Sequence, residues 1–158
     1  MAAENRRIAS IELDQARMVR WSPEVEHERR VAVFDLLEAN SFELVDGFAG
    51  PYQVRMSLRD ATLVFDVLDE AGAQASEVAL PLRSFRKLIK DYFLVCESYF
   101  QAIRTASPSR IEAIDMGRRG LHNEGSERLA EALADKVRID HDTARRLFTL
   151  VCVLHIRG

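Results

Sequence analysis

The apolar residues between positions 82 and 105 constrain the fold of this chain more than any other feature. They recur at steps of three and four, which is the spacing of one face of an α-helix. The stripe consists of Leu82, Phe85, Leu88, Ile89, Tyr92, Cys96, Tyr99, Phe100 and Ile103. The segment therefore predicts one long amphipathic helix that carries much of the core, with Tyr92, Cys96 and Tyr99 largely buried.

The first half of the chain predicts strands. The segment SIELD alternates apolar and polar residues, which indicates a short strand. Residues 41–80 predict a meander, because the segment YQVRMSLRD and the segment that follows a tight turn at Arg59-Asp60 both place apolar residues at every second position. One apolar and one polar face is typical of an antiparallel sheet that is covered on one side.

Capping residues predict further helices. Ser22 and Pro23 suit the N-cap and first position of a helix that ends near Asn40. A last helix begins at about Asp142, after a short extended segment, and Asp140 is a second N-cap candidate. Strands first and helices later predict an α+β fold. We expect a single domain over residues 1–158, an antiparallel β-meander with four or five helices packed on one face.

Length and composition predict a soluble cytoplasmic protein. The chain has 158 residues, 47% of them apolar and 30% charged, which is typical of a folded domain. Its longest nearly apolar run, LFTLVCVLHI, is too short for a bilayer span of about 20 residues, so we expect no membrane partner. The N-terminal residues have no apolar core of a signal peptide. Cys96 and Cys152 lie on apolar segments and are expected to be buried free thiols.

The segment MGRRGLHNEGSE, residues 116–127, allows two interpretations. The structural one is a helix junction: a helix that starts at Ser107-Pro108 ends with a left-handed cap at Gly120, where Met116 and Leu121 touch. Asn123 would then be the N-cap of the next helix.

The functional interpretation of the same segment is an anion site. Arg118 and Arg119 could hold a phosphate, while His122 and Glu124 could act as an acid–base pair. The spacing of these four residues matches no catalytic motif. We therefore assign no catalytic residue, and His122 and Glu124 remain the candidates only if the functional interpretation holds.

Other kinds of site find less support in the sequence. Glu24, His27 and Glu28 share a helix face, but acidic residues in a first turn already suit the helix dipole, so no metal is predicted. The sequence contains none of the motifs GxSxG, GxxxxGK[ST] or GxGxxG, and no cofactor is predicted. A helix-turn-helix reader of DNA is rejected, because the acidic residues of the second helix would repel phosphates.

Four basic residues crowd the first turns of the long helix, where the helix dipole disfavours cations. They are Arg83, Arg86, Lys87 and Lys90. A helix N-terminus surrounded by cations can bind an anion. The alternative is a solvated face, or a face that pairs with the acidic first helix.

Three segments also resemble a known family. They are SPEVEHERRVAVFDLLE, FRKLIKDYFLVCESYFQAIRTASPSRIEAIDMGRRGLHNEGSE and DTARRLFTLVCVLHIRG, and they resemble uncharacterised protein family 0262 (UPF0262) of the alphaproteobacteria. The resemblance implies a small cytosolic bacterial protein and brings no activity, cofactor or catalytic residue.

From the residues we favour a non-enzymatic binding or regulatory module whose basic helix start meets an anionic macromolecule. One alternative is a small enzyme acting on a phosphorylated ligand through Arg118, Arg119, His122 and Glu124. Another is a structural homodimer partner.

Overall fold

A computed structural model of the protein describes residues 5–14 and 23–155. A 3₁₀ turn, Arg83–Phe85, directly precedes the second helix. The elements in chain order are β1 (Ile8–Leu13), α1 (Pro23–Glu38), β2 (Phe42–Leu44), β3 (Tyr52–Arg59), β4 (Thr62–Leu68), β5 (Gln74–Pro81), α2 (Arg86–Thr105), α3 (Pro108–Leu133), β6 (Val137–Ile139) and α4 (His141–His155). This is the predicted α+β class.

The main sheet has the strand order β1-β3-β4-β5. Strands β3, β4 and β5 form the predicted antiparallel meander, and their first turn lies at Asp60-Ala61, one residue later than predicted. Strand β1, for which the sequence predicted no partner, joins the sheet parallel to β3, which is possible because the chain crosses over through α1. Residues Phe42–Leu44, at the start of the segment predicted as the meander, form β2, which pairs with β6 instead of the main sheet.

One face of the sheet is buried beneath the helices. Tyr52, Val54 and Met56 of β3 and Phe65 and Val67 of β4 point into the core. The opposite face carries ion pairs near the solvent, such as Arg55–Glu12 at 3.4 Å. The alternation read from the sequence is therefore confirmed.

The helices pack in the order α1-α4-α3-α2, so that the last helix in the sequence lies inside the helix layer. Helix α4 is accordingly buried on more than one side. Its buried residues are Thr143, Ala144, Leu147, Phe148, Leu150, Val151, Cys152 and Val153. Asp140 caps this helix, since its Oδ1 accepts the Thr143 N–H at 2.9 Å.

Helix α2 is the predicted core element. Tyr92 and Cys96 are buried, and both cysteines are free and buried as expected. Tyr99 is an exception to the prediction, because it is only partly buried and its ring is covered by a guanidinium instead of core residues.

The prediction that a helix ends at Gly120 is wrong. Helix α3 continues from Pro108 through Gly120 to Leu133, and Met116 is 61% exposed instead of contacting Leu121. Its start is as predicted, with the Ser107 Oγ accepting the Arg110 N–H. The helix continues because its second half is held by packing against α4, which outweighs the cost of about 1 kcal/mol for each glycine inside a helix.

The end of α1 is joined to β1 by one side chain. Asn40, near which α1 was predicted to end, accepts the Ile8 N–H at 2.7 Å and donates to the Ile8 and Leu36 carbonyls at 3.0 and 2.8 Å. The predicted N-cap Ser22 lies outside the described residues. Within the described ranges, no helix has the length and apolar character needed to cross a membrane.

Candidate anion-binding pocket

A pocket of 380 Å³ lies in the groove between α1, α3 and α4. This volume is in the range that holds a small molecule. Each of the three helices contributes polar side chains, and Tyr92 of α2 contributes to the wall as well. The lining residues are His27, Glu28, Val31, Ala32, Asp35, Tyr92, Arg118, Arg119, His122, Arg145, Arg146 and Thr149.

The α3 wall carries two arginines that share one acid. Arg118 donates to the Asp115 Oδ1 from both Nε, at 3.1 Å, and a terminal nitrogen, at 2.6 Å, while the Arg119 Nε lies 3.1 Å from Oδ2. The hydrogen bond from Arg118 is the main reason that the pKa of Asp115 is lowered. The Arg118 guanidinium also lies over the Tyr99 ring, 4.5 Å from its centroid. Two cations against one anion leave this wall positive.

The α4 wall carries a second arginine pair with weaker compensation. A terminal nitrogen of Arg146 donates to the Asp142 carbonyl at 3.1 Å and lies 3.9 Å from its carboxylate, and the buried Nε has no partner among the described residues. Arg145 is exposed and forms no hydrogen bond or ion pair through its side chain with the residues that the structure describes. The two arginine pairs face the same pocket.

The α1 wall is acidic. Glu28 and Asp35 line the pocket, are half-buried, and form no side-chain hydrogen bond or ion pair within the described part of the chain. Burial raises the pKa of Glu28, although the charges of Arg118 and His27 oppose that change. Val31 and Ala32 provide apolar surface on the same wall.

His122 is held as a neutral imidazole between these walls. Its Nε2 lies 2.7 Å from the Thr149 Oγ1, and that hydroxyl is positioned to donate to the Arg145 carbonyl at 3.3 Å. In the tautomer with its proton on Nε2, the hydroxyl accepts from Nε2–H while donating to that carbonyl, and the buried Nδ1 keeps its lone pair. Burial, together with the charges of Arg145 and Arg118, lowers the pKa of His122 to about 4. The ring packs edge-on against Phe148, with centroids 5.3 Å apart.

The predicted cluster is only partly assembled. Arg118, Arg119 and His122 line the pocket, but Glu124 is exposed on α3 and pairs with Arg128 at 3.1 Å. Positions two apart on a helix do not share a face, which separates Glu124 from His122.

Sequence reasoning missed Glu28 as a pocket acid and did not consider Arg145 and Arg146 at all. A signal for the arginines is present, since the pattern Asp-x-x-Arg-Arg occurs at residues 115–119 and again at 142–146. Among the described residues, no group of three or more His, Cys, Asp or Glu side chains is arranged to hold a metal ion.

The basic start of α2 is a separate surface. Arg83, Arg86, Lys87 and Lys90 are all exposed, and none forms an ion pair with an acid in the described part of the chain, including the acids of α1. A terminal nitrogen of Arg128 approaches the Ser84 carbonyl at 3.5 Å and adds another cation nearby. None of the four predicted residues lines the pocket between α1, α3 and α4.

Comparison with known proteins identifies the relatives of this chain. Residues 5–157 match the uncharacterised protein family UPF0262. The chain belongs to this family. A UPF0262 protein of Paramagnetospirillum magneticum is 58% identical over 152 residues, which cover 96% of this chain and 97% of the relative. A UPF0262 protein of Rhizobium meliloti is 56% identical over 157 residues, covering 99% of each. No solved structure is significantly similar to the chain. The resemblance to UPF0262 seen in the sequence is thus confirmed.

Proposed function

We propose that this chain, acting as a single domain, is a non-enzymatic binding protein that holds a small phosphorylated ligand between α1, α3 and α4. The observation that carries the proposal is the convergence of Arg118, Arg119, Arg145 and Arg146 on one pocket. Arginine presents several donors in one plane and suits the oxygens of a phosphate group. Asp115 compensates one charge of the α3 pair, and Arg145 has no compensating acid among the described residues. A dianion held between α3 and α4 would balance the two positive charges that remain on these two walls, while Glu28 and Asp35 stand on the α1 wall.

Binding is favoured over turnover by the state of the histidine. A His122 pKa of about 4 leaves the imidazole neutral at pH 7, so it lacks the second ring proton that a general acid would give to a leaving group. Its Nε2 is engaged by the Thr149 hydroxyl, and Glu124, the predicted partner in acid–base chemistry, pairs with Arg128 outside the pocket. The enzyme interpretation therefore loses its general acid and the predicted pairing of His122 with Glu124.

Isothermal titration with inorganic phosphate and propyl phosphate tests the proposal. The double variant Arg119→Gln/Arg145→Gln should weaken binding at least about tenfold, because it removes two charge-assisted contacts. Arg110→Gln is the matched control, since Arg110 is an exposed arginine on α3 outside the pocket. Absence of binding to the wild type at millimolar phosphate, or equal binding by the double variant, would contradict the proposal.

The basic start of α2 supports a second candidate function, contact with an anionic macromolecule. Two observations support it. Arg83, Arg86, Lys87 and Lys90 are exposed and form no ion pair with an acid in the described part of the chain, and they lie at the N-terminal end of the helix, where the dipole disfavours cations. Retention on heparin should fall steeply with salt, and the variant Arg86→Gln/Lys87→Gln/Lys90→Gln should flow through while remaining folded. Flow-through of the wild type at low salt would refute this candidate.

We also infer a cytoplasmic location, because the free thiols of Cys96 and Cys152 suit a reducing compartment. Assembly as a homodimer is a third proposal, supported by exposed apolar side chains such as Phe34 and Leu94 on helices α1 and α2. Light scattering coupled to size-exclusion chromatography tests it, and a monomer mass at high concentration would contradict it.

A further inference from the structure

The two acids of the α1 wall differ from the other acids around the pocket. Asp115 and Asp142 are engaged by arginines of their own helices. Glu28 and Asp35 face the same pocket, half-buried, without a hydrogen-bond donor among the described residues. Removing a carboxylate from water without a donor is unfavourable, so such a group is a place where a ligand can supply the missing donor.

The pocket is therefore divided by charge. Arginines converge from α3 and α4, and acceptor oxygens stand on α1, with the apolar side chains of Val31 and Ala32 on the same wall as the acids. A ligand that matches this arrangement carries an anion at one end, hydrogen-bond donors at the other and a short carbon skeleton that contacts the apolar surface.

We infer that the ligand is a phosphate monoester of a small polyol, with its phosphate at Arg119, Arg145 and Arg146 and its hydroxyls donating to Glu28 and Asp35. The inference rests on the proposed function, because it assigns the second end of the ligand that the arginines hold.

Hydroxyl groups fit the acidic wall better than an amine does. An ammonium group pairs with an ionised carboxylate, and burial works against the ionised form of Glu28 by raising its pKa. The ammonium group would also lie close to the guanidinium of Arg118, whose positive charge acts on Glu28. A hydroxyl can donate to a carboxylate and can accept from a protonated carboxyl, so it is satisfied in either state.

The test compares two ligands that differ only in their hydroxyls. Glycerol 3-phosphate and propyl phosphate carry the same dianion, and their affinities are measured by isothermal titration with the wild type. We expect glycerol 3-phosphate to bind at least about tenfold more tightly, because a site built for hydroxyls discriminates against an analogue that lacks them. The variants Glu28→Ala and Asp35→Ala should each reduce this ratio toward one. Glu38→Ala, an exposed acid at the end of the same helix, should leave the ratio unchanged.

The outcomes separate the two proposals. Equal affinity of the wild type for the two phosphates overturns the polyol inference and leaves the anion-binding function standing. A preference that survives in both Glu28→Ala and Asp35→Ala also overturns it, since the acids would not be the acceptors. Binding of neither phosphate defeats the proposed function itself. Circular dichroism establishes that each variant is folded, and if one acid variant unfolds, the other together with the wild-type ratio decides.

Discussion

The Phe148 ring points its Cζ end at Gly125, into the space where a Cβ would lie. This contact joins α4 to the second half of α3. Glycine is needed at position 125 because a larger side chain would overlap Phe148, and not because of a left-handed backbone, since the φ angle of Gly125 is not positive. Gly117 and Gly120 of the same helix differ, because a Cβ built on either would meet no neighbouring atom within 4 Å. Packing therefore requires glycine at position 125, whereas the space around Gly117 and Gly120 would accept a larger residue.

Alanine at the two open positions should stabilise the protein. We expect Gly117→Ala and Gly120→Ala each to raise the free energy of unfolding by about 1 kcal/mol, because alanine costs less backbone entropy in a helix. Gly125→Ala is the opposing comparison and should destabilise, since Phe148 must move. Urea denaturation measures all three. A loss of stability in Gly117→Ala or Gly120→Ala would contradict this expectation.

The glycine segment also shows what the sequence could and could not predict. The stripe of α2 from Leu88 to Cys96 and the caps at Ser107 and Asp140 are local signals, and the structure confirms them, whereas Ile103 at the end of the predicted stripe is 50% exposed. The continuation of α3 past Gly120 depends on packing against Phe148, which is 28 residues further along the chain and leaves no local signal. Glycine permits a left-handed cap without requiring one.

The pocket was only partly predictable for the same reason. Arg118, Arg119 and His122 are close in sequence and could be grouped, whereas Glu28 and Arg145 come from helices at opposite ends of the chain. Their meeting depends on α4 packing between α1 and α3, and the parallel pairing of β1 with β3 is likewise a long-range contact. Neither can be read from a periodicity.

Shortening an aromatic side chain in the 3₁₀ turn before α2, or in α2 itself, should weaken the core. Phe85 is 3% exposed, so Phe85→Ala should cost about 3–5 kcal/mol of unfolding free energy. Phe100 is only partly buried, so Phe100→Ala should cost less than Phe85→Ala. Denaturation midpoints of the two variants check the order, and a reversed order would place the core elsewhere along α2.

Acid should destabilise the protein through His122. Its pKa is about 4 in the folded state against 6.5 in an unfolded chain, so below pH 6.5 the unfolded state binds a proton that the folded state refuses. The contribution is present above pH 6.5 and is lost as pH falls. Between pH 7 and 4 the wild type should lose on the order of 3 kcal/mol more than His122→Gln. His141→Gln, at an exposed histidine of α4, is the control and should follow the wild type.

Glu28 should have the opposite pH dependence. Burial raises its pKa, so the folded state favours the protonated carboxyl and pays a cost once pH rises through the folded-state pKa. Glu28→Gln should therefore stabilise the protein more at pH 8 than at pH 4, as measured by chemical denaturation at both values. Glu38→Gln at the exposed end of α1 should show no such difference. A variant that is less stable than the wild type at pH 8 would mean that Glu28 has a strong partner in solution.

The link between α1 and β1 can be tested at Asn40. Asn40→Ala removes one acceptor and two donor contacts and leaves the backbone of the buried Ile8 without its partners. We expect a loss of about 1–3 kcal/mol. Asn123→Ala, at an exposed helical asparagine, should be neutral or slightly stabilising. Equal stability of Asn40→Ala and the wild type would mean that water replaces these contacts.

The position of α4 has a consequence for synthesis on the ribosome. This helix is translated after α1, α2 and α3, yet it is the one that lies between α1 and α3. A nascent chain that has emerged only through α3 has no Phe148 to cover Gly125 and no arginine pair of α4 to complete the pocket. Its apolar helix faces stay open to chaperones and proteases until residues 141–155 arrive. Any product that stops short of His141 should consequently be degraded instead of accumulating as a partly active protein.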